Sequence, residues 1–99
     1  MSEREQREIV LESQDTSQSC TEYIGDRFDL TYAAAGVIRH VLWLRMPELS
    51  DAEKCYRTVQ FCERNLDLIE GFDEATSYMV GERGRLLTIL IRELRQRPL

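Results

Sequence analysis

The sequence predicts an all-α fold: a three-helix antiparallel bundle with a short N-terminal helix or extended arm, dimerising into a larger bundle. Three observations predict it. From about residue 26 onward, apolar residues recur at three- and four-residue spacing, the period of a helix face. Helix punctuation stands where that periodicity stops, at Pro47, Ser50 with Glu53, Gly71, Asp73 and Pro98. The links from Pro47 to Leu49 and from Gly71 to Phe72 are short, which sets neighbouring helices antiparallel.

The 99 residues suit one domain, which would hide roughly 65% of its unfolded surface. We divide the chain into a charged arm and polar linker, 1–22, and a helical domain, 23–99. Residues 2–12 read as a short charged helix. Ser2 with Glu5 fits a capping box, and Glu3, Glu5 and Glu8 suit a helix start. The run Glu8-Ile9-Val10-Leu11 reads equally well as a strand. Ser13 to Thr21 is almost entirely polar and reads as a flexible linker. Tyr23 to Phe28 leads into the first main helix.

Helix one is expected from about Asp26 to Met46, ended by Pro47. Leu30, Ala34, Val37, Val41 and Leu44 form one apolar face. Phe28, Tyr32, Ala35, Leu42, Trp43 and Met46 form another. A helix apolar all round belongs between other elements. Helix two starts at the Ser50–Glu53 capping box and runs to Gly71, with a stripe of Ala52, Cys55, Tyr56, Val59, Cys62, Leu66 and Ile69. Phe61 and Leu68 lie on its far side among Lys54, Arg57 and Arg64. Helix three is expected from about Asp73, its cap, to Arg97. Its apolar residues cover a wide arc, and Gly81 and Gly84 allow close approach or mark a kink.

Charge and composition exclude several function classes. Thirteen basic residues against eighteen acidic give a net charge of −5, which disfavours general nucleic-acid binding. The start is charged throughout, unlike a secretory signal. The most apolar stretch, Leu30 to Met46, carries Arg39, His40 and Arg45, so it makes a poor membrane span. Three cysteines, Cys20, Cys55 and Cys62, with no secretory signal suit a reducing cytosol. We therefore expect a cytoplasmic protein without a membrane partner. Cys55 and Cys62 would stand about 10 Å apart along one helix, too far for a disulfide or a shared zinc. Buried, apolar cysteines are the expectation.

The search for chemistry returns no catalytic, cofactor or metal set. His40, the single histidine, falls at the edge of the helix-one core face beside Val41-Leu42-Trp43-Leu44, which favours packing over phosphotransfer. Glu63, Asp67 and Glu70 share one side of helix two, but no Glu-x-x-His accompanies them. They read as a solvated acidic face. There is no Gly-rich phosphate loop, Cys-x-x-Cys pair or nucleophile elbow. The protein is thus expected not to be an enzyme and to take no small-molecule substrate.

What remains is apolar surplus and charge asymmetry. A monomer of three such helices would expose Phe28, Trp43, Met46, Phe61 and Ile91 together, and contiguous apolar surface marks an interface. A homodimer or stable protein partner would cover it; the alternative is an N-terminal helix folded back over the second face. Residues 83–97 carry a net +4 and the remainder −9. Arg85, Arg92 and Arg95 form a basic stripe that could meet an acidic partner or serve the helix dipole. We therefore expect a small interaction module, acting as regulator, adaptor or inhibitor. Its partner-binding residues are expected to be Phe61, Leu68, Arg57, Arg64, Trp43, Arg85, Arg92 and Arg95, the first four as an outward patch. One alternative is a DNA-binding transcriptional regulator using helix three, because Gly71-Phe72-Asp73 resembles a helix-turn-helix corner. Another is an inhibitor whose acidic surface mimics nucleic acid.

Overall fold

The computed structural model describes residues 16–77 and 81–99, with side chains described for 17–76 and 84–99. The expectation for residues 2–12, helix or strand, lies outside the described residues. The described residues are helical and include no strand. Helix α1 spans Thr16–Phe28, α2 Tyr32–Trp43, α3 Asp51–Arg64, α4 Leu66–Ile69, α5 Phe72–Ser77 and α6 Gly81–Gln96. No helix among the described residues is long and apolar enough to cross a membrane.

The chain begins its fold earlier than its polarity suggests. From Thr16 the expected linker is helical, and it presents Cys20, Thr21 and Ile24 to the core, each at most 2% exposed. Spacing of one and four places these three on one face. The neighbouring polar residues Gln18, Glu22 and Asp26 are exposed. The Thr21 hydroxyl is satisfied twice: it donates to the Ser17 carbonyl at 3.0 Å and accepts from Arg39 Nε at 2.8 Å. A polar run with three inward residues in thirteen therefore suffices for a helix that packs on α2 and α3.

The expected first helix is two helices. α1 closes on Asp29, which has φ 56°, and the Leu30 N–H donates back to the Gly25 carbonyl at 2.9 Å. That is the wide bond of a Schellman cap, with Asp in the left-handed position usually taken by Gly. The fold-back presses the chain onto Gly25, where a Cβ would meet the Leu30 carbonyl oxygen at 3.1 Å. Thr31 then caps α2, its hydroxyl accepting from the Ala34 N–H. The Thr31 N–H and hydroxyl both donate to the Asp73 carboxylate, at 2.8 and 3.0 Å. Asp73 thus ties α5 to the start of α2 and lies inside α5, one residue past its start, instead of capping it.

α2 is the hub and packs against α1, α3, α5 and α6, as its all-round apolarity implies. α3 starts as expected, with Ser50 accepting from the Glu53 N–H at 3.2 Å. It stops at Asn65, short of Gly71. The Asn65 side chain donates to the Phe61 carbonyl at 2.8 Å, competing with continued helix, and α4 leaves on a new line. Glu63, Asp67 and Glu70 therefore do not share one helix side. Glu63 meets Arg27 at 3.2 Å, and Asp67 meets Arg97 at 3.2 Å.

Two of the three cysteines correct the expectation of unpaired thiols. Cys20 and Cys55 form a disulfide that joins α1 to α3 across a sequence separation of 35. The expectation of a reducing cytosol rested on an odd cysteine count without a secretory signal, and a disulfide is not the pairing state that expectation implies. Cys62 is a free thiol, fully buried.

Candidate functional site

The expected outward patch does not form. Phe61 is 0% exposed and Leu68 4%. Phe61 lies on a side of α3 that is also covered, and the break at Asn65 turns Leu68 inward on a separate helix. Trp43 and Met46 are also buried, while Phe28 and Ile91 are half-buried. The surplus expected at those five positions is therefore largely hidden within one chain, with α1 covering part of α2 and α3.

Trp43 is held rather than presented. Its ring lies 5.0 Å from the Arg39 guanidinium and 5.5 Å from the Lys54 ammonium, a contact attractive through the ring quadrupole. Its indole N–H is buried and has no hydrogen-bond partner among the described residues. Of the arginines, Arg57, Arg64, Arg85, Arg92 and Arg95 are all exposed. Arg64 donates to the Leu99 carbonyl. Two further arginines close the C-terminal turn of α6: Arg45 donates to the carbonyls of Leu94 and Arg97 at 2.6 and 2.8 Å, and Arg97 pairs with Glu93 and Asp67. The hydrogen bond from Arg97 is the main reason the Asp67 carboxyl sits below its usual range.

The open surface is elsewhere, on α2. At about 100° per residue, Tyr32, Gly36, His40, Ala33, Leu44 and Val37 fall within an arc of roughly 140°. Tyr32, Ala33, His40 and Leu44 are exposed, and Gly36 and Val37 half-exposed; Tyr32 reaches 59% and Leu44 67%. Val41, Ala34, Ile38, Leu42 and Ala35 occupy the buried remainder, and Trp43 is buried although its position falls within the arc. Along this arc runs a groove of about 560 Å³. Ala33, Gly36 and Val37 supply apolar floor, Ile91 and Arg95 of α6 form a wall, and Arg39 and His40 stand beside them. A smaller hollow of about 340 Å³ adjoins it, lined by Thr21, Glu22, Gly25, Asp26 and Leu30. Tyr32 lines both.

Arg95 is thus the one expected partner-binding residue that this groove includes. Arg57, Arg64, Arg85 and Arg92 are not among its lining residues, and Phe61, Leu68 and Trp43 lie in the core. His40, expected to pack, is exposed in the groove. Tyr32 and Val37 are legible in the sequence as apolar residues of a helix with two faces; Ala33 and Gly36 are small residues that the face pattern does not single out. Which face stays open depends on where α1 packs, and the polar composition of α1 conceals that.

Chemically, the groove offers apolar contact with cationic groups at its side. No group of three histidine, cysteine or carboxylate side chains able to hold a metal occurs among the described residues. No family model matches the chain, and neither a curated protein nor a solved structure matches it.

Proposed function

We propose that this protein is a small helical interaction module that works by binding a partner protein, not by catalysis, through the open face of α2. In this reading the helices form a bundle whose central member is left partly uncovered, and a partner completes it as part of a larger bundle. One observation carries the reading: the hub helix is closed on its buried side yet keeps Tyr32, Ala33, Gly36, Val37 and Leu44 outward on its other side, an exposed arc interrupted by His40 and by the buried Trp43. Apolar surface of that kind, edged by charge, is typical of protein contacts. Small residues at its middle, Ala33 and Gly36, suit the close approach of another helix.

Val37→Asp places a charge on the groove floor. A protein captured from source lysate by the wild-type chain should be lost with this variant and kept with Arg57→Glu, on exposed surface outside the groove. Circular dichroism would establish that both variants fold. Identical capture by all three chains would contradict the reading.

A further inference from the structure

We infer that the occupant of the α2 face is a second copy of this chain, docked about a two-fold axis at Tyr32. This rests on the reading of α2 as a binding face and names what binds there. The argument is charge complementarity. On one side of Tyr32 lies the groove with Arg39, His40 and Arg95, and it has no acidic lining residue. On the other lies the hollow with Glu22 and Asp26, and it has no basic one. Tyr32 lines both hollows and so stands between a basic and an acidic lining, with Arg39 reaching from the first to Thr21 of the second at 2.8 Å.

A two-fold axis lying in the contact plane, perpendicular to the line from groove to hollow and passing through that boundary, exchanges the two sides of the facing copy. It lays the basic groove of one protomer over the acidic hollow of the other, and does so twice. The interface is then self-complementary, as an isologous dimer requires. Opposite charges meet at both ends, while Tyr32, 59% exposed in one chain, meets its own copy at the centre. Tyrosine is a favoured residue at such centres because it combines a large apolar body with a polar tip. Asp26 and Arg95 are exposed, and neither forms an ion pair with another described residue. An acidic partner would suit only the groove, and a basic one only the hollow; a second copy suits both together.

The test is a charge exchange followed by sedimentation equilibrium. Wild type is expected to dimerise. Asp26→Arg and Arg95→Glu alone should each raise the dissociation constant by at least about tenfold, because each sets like charges opposite one another twice. Mixing the two variants should restore association, since the heterodimer regains an opposite-charge pair at both ends. A wild type that dimerises with all mixtures alike would place the interface on another face and overturn the inference. A monomeric wild type would also overturn it, and would leave partner binding through α2 to be decided separately by the Val37→Asp capture.

Discussion

Cys62 shows how burial controls one atom. Its thiol is fully enclosed in the core, and desolvation, helped by the nearby Glu63 carboxylate, pushes its pKa up to about 12. A thiolate is the reactive form, so native Cys62 should resist alkylation near pH 8 and react once the chain unfolds. The same shift fixes a stability trend. In the unfolded chain the thiol ionises near its ordinary pKa, while the folded chain still holds the proton. Between about pH 9 and 12 the unfolded state therefore binds fewer protons, and stability falls as pH rises. Urea melts across that range should show a steeper alkaline loss for wild type than for Cys62→Ala. Parallel pH profiles would contradict this assignment. At this scale the sequence is a fair guide to the cysteines' burial and a poor one to their pairing. Cys20 and Cys55 stand far apart in sequence, and only the docking of α1 on α3 brings them together. Arg39, Trp43 and Lys54 are individually visible, but their stacking requires the α2–α3 crossing.

Among the elements, α1 carries most of the difference between expectation and structure. Its exposed side is polar enough to read as linker, and its cap uses Asp29 where a sequence reader looks for Gly. Ser50 and Glu53, by contrast, announce the start of α3 because the capping box is local chemistry. The long helix expected from Asp26 divides at the left-handed Asp29, and the one expected from Ser50 to Gly71 divides at Asn65. Periodicity alone crosses such breaks without marking them. α1 is fastened to α3 by Cys20–Cys55 near its start and by Arg27–Glu63 near its end. The ion pair is partly exposed and contributes little. The disulfide closes a long loop, so removing it should cost roughly 2–4 kcal/mol through the entropy of the unfolded chain. Urea melts of Cys20→Ala/Cys55→Ala should show that loss, and wild type in dithiothreitol should fall to a similar level. A wild type unmoved by reductant would contradict the fastening role.

At the scale of the whole molecule, apolar surface stays open in a different place from the one the helical pattern suggests. Phe61, Trp43 and Met46 fill the core, because α1 docks on α2 and α3 and covers surface that three helices alone would expose. What is left over is a narrower arc on α2, and its charge changes sign at Tyr32. The division of the chain into net −9 and +4 captures an asymmetry, but its useful form is spatial: Glu22 and Asp26 on one side, Arg39, His40 and Arg95 on the other. That arrangement emerges only when α1 and α6 flank the same helix.

The central claim is that this face associates, and Tyr32 is its most exposed central residue. Sedimentation equilibrium of wild type and Tyr32→Glu over a range of concentrations tests it most directly. Wild type should approach twice the chain mass as concentration rises, while Tyr32→Glu, with unchanged helicity, stays at the mass of one chain. Equal masses for the two proteins at every concentration would contradict the account.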